Sequence, residues 1–217
     1  MKNGLMKKLL SFAAMVFFSV LITLPSHAAD FSASEMKKMS TFLSNFTEVR
    51  MGDFTAEEVL DPKNPAEMIR FGIWHHWLNT FRRTIKPSND NDRQYGDVMI
   101  DGVYVKESLK RYFDYDLKEL PSVVDPDDPQ RYLYYSDGVR YYFSAGDGDP
   151  IYYAQVTKAV RLPDGNIQMT GYIYNTEEPS DITGSFTALA RPHTWKGKAT
   201  WAIISMKTRY RKVVFGQ

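Results

Sequence analysis

Apolar residues recur every three or four positions in the first half of the chain and every second position in the second half. After residue 30, "SASEMKKMSTFLSNF" places Met36, Met39, Leu43 and Phe46 on one stripe, the spacing of a core-facing helix. Ser32 and Glu35 stand three apart at its start, as a capping box requires. "DPKNPAE" then stops one helix and starts another, with Pro65 suited to the first turn. From Glu67 to Arg83 the apolar arc holds Ile69, Phe71, Ile73, Trp74, Trp77, Leu78 and Phe81. Arg82, His75, Asn79, Arg83 and His76 take the other side, with the two histidines at opposite borders of the polar arc. Such an arc is too broad to leave in water, so this helix is expected to lie across one face of the C-terminal sheet, enclosing any pocket with Trp77 or His76 near its mouth.

"SNDNDRQYGD" reads as a polar loop, and "VMIDGVYV" as a short strand or hairpin about Asp101-Gly102. Val105, Leu109 and Phe113 mark one face of a third helix, and "LPSVVDPDDPQ" is a proline-punctuated linker. Beyond Gln130 the period becomes two. "RYLYYSDGVRYYF" carries Asp137-Gly138 between aromatic runs, a hairpin signal. Two strands flank "PDGN", and "DITGSFTALAR" with "KATWAIISMKTRYRKV" makes a last pair. Helices first and strands second predict an α+β fold: a helical part over about residues 32–120 and a curved antiparallel sheet of about six strands over about residues 131–213.

The first thirty residues carry an address instead of a fold. Lys2, Lys7 and Lys8 precede an apolar run from Leu9 to Leu24, and "SHA" offers small residues for cleavage after Ala28. This predicts a signal peptide over residues 1–28, a periplasmic or secreted protein of bacterial type, and no membrane span once the signal is removed. Residues 29–217 then form one domain. The chain has no cysteine, which excludes a disulfide framework, a thiol nucleophile and a lipidated N-terminal cysteine. The formal charge is +1, and loss of the three signal lysines leaves about −2. Nothing in that balance calls for nucleic acid.

Charge is unevenly spread. Seven bases and no acid follow Ala190: Arg191, Lys196, Lys198, Lys207, Arg209, Arg211 and Lys212. They read as a protective charged edge strand or as a recognition strip. Arg70 falls inside the apolar arc and must find a carboxylate or reach solvent.

Candidate chemistry is sparse. Adjacent residues on a helix diverge by about 100°, so His75 and His76 do not share a metal, and HExxH is absent. "DPDDP" and "GDGDP" lack the calcium-loop pattern and read as turns. No metal and no cofactor is expected. Nine of the fourteen tyrosines lie between Tyr132 and Tyr174, with aromatics on both faces of successive strands. They pack a core or expose a ladder that binds glycans or peptides. The expectation is a non-catalytic binding or interaction module for a small molecule, a glycan or a protein, with Trp74, His76, Trp77, Tyr134, Tyr142 and Tyr153 as ligand-binding candidates and no catalytic residue. The alternative is a small hydrolase or isomerase in which a histidine such as His76 works with a carboxylate in a helix–sheet pocket.

"STFLSNFTEV" with "IRFGIWHHWLN" resembles the N-terminal half of uncharacterised secreted and lipoprotein-type bacterial families, a likeness that implies no activity. The order of elements, closed by "GKATWAIISM", resembles the cone-shaped nuclear-transport-factor-two-like superfamily. That resemblance implies a fold but not a function, since the superfamily holds enzymes and binding modules alike.

Overall fold

A computed structural model describes residues 31–146 and 151–211, without the Phe81 and Arg82 side chains. Residues 1–28, expected to be a signal peptide, together with Lys212 and the acids of "GDGDP", lie outside the described residues. The fold is α+β. Helix α1 (Ala33–Glu48) begins at the expected capping box: the Glu35 N–H donates to Ser32 Oγ at 3.2 Å, and the Ser32 N–H donates to the Glu35 carboxylate at 2.8 Å. Strand β1 (Phe54–Thr55) and the single turn α2 (Ala56–Val59) follow. Helix α3 (Ala66–Thr84) kinks at Thr80 and runs into β2 (Ile85–Pro87). A 3-10 segment, Asp90–Tyr95, leads to β3 (Val98–Asp101) and α4 (Gly102–Phe113). The strands β4 (Val123–Val124), β5 (Tyr132–Ser136), β6 (Arg140–Phe143), β7 (Tyr152–Arg161), β8 (Ile167–Asn175), β9 (Ile182–Trp195) and β10 (Lys198–Tyr210) complete the chain.

The six C-terminal strands form, but they do not make one sheet. Strands β7 to β10 join β1 in a large antiparallel sheet ordered β1-β10-β9-β8-β7. Strands β5 and β6 leave it for a small sheet ordered β2-β3-β6-β5-β4. The hairpin about Asp137-Gly138 is present, with Gly138 at φ 87°. Of the short strand or hairpin expected about Asp101-Gly102, the strand forms as β3 and the hairpin does not. Asp101 ends β3 as the N-cap of α4, because β3 pairs instead with β2 and β6. The linker contributes β4, paired with β5.

Strand β7 ends the large sheet, and α1 closes that open edge. The N–H of Val156 donates to Ser40 Oγ at 2.9 Å, and the N–H of Ala154 to Ser44 Oγ at 3.1 Å. Thr47 Oγ1 donates to the Tyr152 carbonyl at 2.9 Å. Each serine hydroxyl also donates to the carbonyl four residues back along α1, so each is used twice.

Phe46, fully buried on the core side of α1, sits at the centre of an aromatic core. Its ring meets Phe71 of α3 at 5.1 Å, Phe113 and Tyr112 of α4 at 5.6 and 5.9 Å, and Phe54 of β1 at 5.6 Å. Because the C-terminal strands divide between two sheets, helix α3 packs on the small one, which holds β5 and β6, and not across the larger group of strands. Helix α1 runs along β7 and α4 packs on β10, while α3 packs on α4 and on the small sheet. Gly72 permits the α3–α4 approach, since a Cβ there would stand 2.6 Å from Val105 Cγ1. Arg70 finds its carboxylate in Glu67 at 2.7 Å and also caps the Val49 carbonyl.

The basic strip is only partly an edge. Strand β10 lies between β9 and the two residues of β1. Two of its cations hold α4 down: Arg191 pairs with Asp114 at 2.9 Å, and Lys196 with Glu107 at 2.7 Å. No described helix is long and apolar enough to cross a membrane.

Closure of the β7 edge predicts a measurable penalty. Ser44→Ala leaves the buried Ala154 N–H without an acceptor and should lower unfolding free energy by about 1–3 kcal/mol in urea titrations. The exposed neighbour Thr41→Ala should stay within about 0.5 kcal/mol of wild type. Equal stability of the two variants would show that the hydroxyls do not carry the edge.

Candidate functional site

The six candidate residues fall into four places. Trp74, Trp77 and Tyr134 come together where α3 meets the small sheet. Trp74 Nε1 donates to the Tyr134 hydroxyl at 3.0 Å, and the Trp74 ring lies 5.5 Å from Trp77. Phe143 of β6 closes the group, 6.3 Å from Trp74 and 6.0 Å from Trp77. Tyr134 is buried and the two tryptophans half-buried, so this group is mainly packing.

His76 faces the other way, toward α4. Both histidines are buried, His75 at 7 % and His76 at 8 % exposure, where the sequence placed them at the borders of a polar face. The reason is that α3 is covered by α1 and α4 on one side and the small sheet on another. His76 Nε2 lies 3.0 Å from the Tyr104 carbonyl, which only accepts, so that nitrogen carries the proton. Its Nδ1 then accepts from Thr80 Oγ1 at 2.7 Å, and Thr80 Oγ1 lies 3.0 Å from Thr84 Oγ1. This chain of hydroxyls sits at the α3 kink. Burial lowers the His76 pKa, and both ring nitrogens are already engaged.

His75 is further from its ordinary range. Burial, with His76 and Arg111 adding repulsion, pushes its pKa down to about 3. Its ring stacks on Phe71 at 5.9 Å and meets Tyr112 edge-on at 4.9 Å. Asn79 lies one turn on. Its Nδ2 is 3.3 Å from His75 Nδ1 and donates to the Glu48 carboxylate at 3.3 Å. Burial raises the Glu48 pKa, against the lowering effect of Asn79 and of the hydroxyl of Tyr153. So Tyr153, on β7, belongs to a Glu48–Asn79–His75 group that joins three elements. Neither Glu48 nor Asn79 was a candidate from sequence, because a separation of 31 residues leaves no local signal.

Tyr142 lies on the face of the small sheet opposite Phe143. Its hydroxyl donates to Asp137 at 3.0 Å. Partial burial works to raise the Asp137 pKa, but the N–H groups of Arg140 and Val139 and the Tyr142 hydroxyl hold it below the usual carboxylate range. Tyr135, directly across from Tyr142 in the register, stacks on Tyr95 with ring centres 3.8 Å apart and planes at 16°. Tyr132 meets Tyr135 at 5.2 Å. Tyr142 is buried at 3 % exposure and Tyr95 and Tyr135 are half-buried, while Val124, Tyr132 and Leu133 beside them are 46 %, 38 % and 37 % exposed, so this tyrosine face opens to solvent only at its Tyr132 side. Tyr95 arrives from the 3-10 segment, which the sequence presented only as a loop.

Other polar groups are structural. His193 Nε2 lies 3.1 Å from the Lys110 carbonyl, and Asp114 is paired with Lys110 and Arg191, so the group pins the end of α4 to β9. In "DPDDP", Asp125 accepts from the Asp127 N–H at 3.0 Å and Asp128 from the Gln130 N–H at 3.1 Å, the bonds of ordinary turns. Among the described residues no cluster of three or more histidines and carboxylates could hold a metal.

The buried histidines predict a pH slope. His75 stays neutral when folded but protonates below about 6.5 when unfolded, so the unfolded state binds more protons between pH 6.5 and about 3. Its contribution is complete above pH 6.5 and is lost as pH falls, at up to about 1.4 kcal/mol per pH unit. The raised pKa of Glu48 acts oppositely above 4.5, so urea titrations are best run in a Glu48→Gln background. There, His75→Leu should flatten the slope between pH 6.5 and 5. An unchanged slope would mean that His75 titrates normally.

No known protein family, curated protein or solved structure matches this chain.

Proposed function

We propose that the protein is a non-catalytic binding module that works outside the cytoplasm. The observation that carries this reading is the partly solvent-open tyrosine face of the small sheet, with Tyr132 exposed and Tyr95 and Tyr135 half-buried beside it. Tyrosines offer large apolar area at low entropic cost and keep a hydroxyl for water or ligand. The stacked Tyr95–Tyr135 pair holds one such surface rigid, and Tyr142 braces it from β6 through Asp137. A sugar face or an extended peptide suits a flat aromatic surface of this kind. Export is proposed from the N-terminal signal pattern alone.

The hydrolase or isomerase reading keeps one point in its favour, the raised pKa of Glu48 beside Asn79 and His75. Its weakness is that neither histidine is placed to shuttle protons near neutral pH. His75 is neutral down to about pH 3, and His76 has both nitrogens engaged.

The test is binding to arrays of neutral oligosaccharides and of peptides, by wild type and by a Tyr132→Ser, Tyr135→Ser double variant. Wild type should capture members of one class. The variant should lose at least tenfold in affinity, as expected for a stacking contact worth about 1–3 kcal/mol. Its thermal unfolding should remain cooperative, with only a modest loss, since Tyr132 is exposed and Tyr135 is half-buried outside the core cluster. Unimpaired capture by the variant would remove the tyrosine face from the reading.

A further inference from the structure

The C-terminal end of α1 carries a residue that its backbone does not favour. The Arg50 N–H donates to the Thr47 carbonyl at 3.0 Å, and the Met51 N–H to the Phe46 carbonyl at 2.8 Å. These are the two bonds of a Schellman stop, in which the residue after the cap turns left-handed and is normally glycine. Here it is Arg50, at φ 56°. A side chain kept where glycine is easier calls for a use for that side chain.

Arg50 lines a groove of about 740 Å³ between the end of α1 and the ends of β7, β9 and β10. Tyr152 and Tyr210 form its aromatic walls, and Arg211, Asp181 and Thr183 its polar ones. Tyr210 is 57 % exposed and offers its ring to solvent. Its seat is made by Gly52, where a Cβ would fall 2.9 Å from the Tyr210 hydroxyl. Among the described residues neither the Arg50 nor the Arg211 guanidinium has a carboxylate in ion-pair range, and the two share one groove.

We infer that this groove binds an acidic saccharide, a sugar ring bearing a carboxylate. Two unpaired guanidiniums in one groove match a carboxylate, which each can hold through paired N–H donors. The tyrosine rings supply faces for the C–H side of a pyranose. Asp181 accepts from ring hydroxyls and does not match a purely anionic ligand such as phosphate. The size is that of an ordinary small-ligand pocket. This site shares no residue with the tyrosine face of the small sheet and stands or falls separately.

The experiment is calorimetric titration of the purified protein with a galacturonic acid disaccharide, its neutral galactose counterpart, and inorganic phosphate. The acidic disaccharide should bind at least tenfold more tightly than the neutral one and more tightly than phosphate. Arg211→Gln and Tyr210→Ala should each weaken it by roughly ten- to hundredfold, the range for a charge-assisted pair or a stacked ring. Arg50→Gly separates function from fold. Glycine suits the left-handed turn, so the variant should melt no lower than wild type while its affinity falls tenfold or more. The Tyr132→Ser, Tyr135→Ser variant should bind the disaccharide as wild type does. The proposal is overturned by no binding of the acidic disaccharide, by wild-type affinity in Arg50→Gly, or by phosphate binding as tightly with Tyr210→Ala having no effect.

Discussion

The open edge of β7 is the constraint from which the rest of the arrangement follows. An unpaired strand edge presents alternate N–H and C=O groups that must find partners or invite another chain. Here the partners are the hydroxyls of Ser40, Ser44 and Thr47, meeting residues 156, 154 and 152 in turn. The two spacings are compatible. Two strand residues span about 6.6–6.8 Å, and four helical residues rise about 6.0 Å. An α1 lying antiparallel to β7 therefore meets one outward-facing residue per turn. Small side chains at those positions also let the helix come close enough to bond. Once α1 is fixed in this way, Phe46 is delivered to the centre of the aromatic core. Thr47, Glu48 and Arg50 are delivered to the end of β7, where both the carboxylate group of Glu48 and the arginine groove form.

With α1 against β7 and α4 against β10, the remaining broad apolar helix has to find other cover. It packs on α4 through Gly72, on α1 through Phe71, and on the small sheet through Trp74 and Trp77. A helix covered on several sides buries part of its polar arc too, and His75 and His76 are the result. Each is made tolerable by a neutral ring and local partners: Asn79 and stacked aromatics for His75, Thr80 and the Tyr104 carbonyl for His76. Packing accounts for the burial of both adjacent histidines.

What could be read from the sequence divides along the same line. Signals carried within a few residues came through: the Ser32–Glu35 cap, the Asp137-Gly138 hairpin, the turn at "PDGN" and the core stripe of α4. Partnerships across long separations did not. Period-two alternation marks β5 and β6 as strands but does not say that β3 pairs with β6. The two-residue strands β1 and β4 are too short to show any period. Nothing local marks Ser40 and Ser44 as partners of a strand edge, which lies more than a hundred residues away. Of the candidate residues, Trp74, Trp77 and Tyr134 do meet, while Tyr142 and Tyr153 stand on different sheets.

The most conspicuous sequence and the most informative geometry are thus in different places. "IWHHW" is unusual as a string, yet packing accounts for both histidines and both tryptophans, and each agrees with its surroundings. "TEVRMG" is ordinary as a string, yet it sets an arginine in a left-handed turn whose hydrogen bonds are otherwise those of a well-formed helix stop. Natural sequences tend to agree with their fold at every level, and the departures from that agreement gather at functional positions. Asp114 and Lys196 are left-handed too, but each makes an ion pair that holds α4, whereas Arg50 makes none among the described residues, and the groove proposal rests on that difference. The backbone on either side of the Arg50 turn is well packed. Met51 is buried behind Arg50, and Gly52 is closed over by Tyr210 and Thr208, so the backbone that carries the guanidinium is held from both sides.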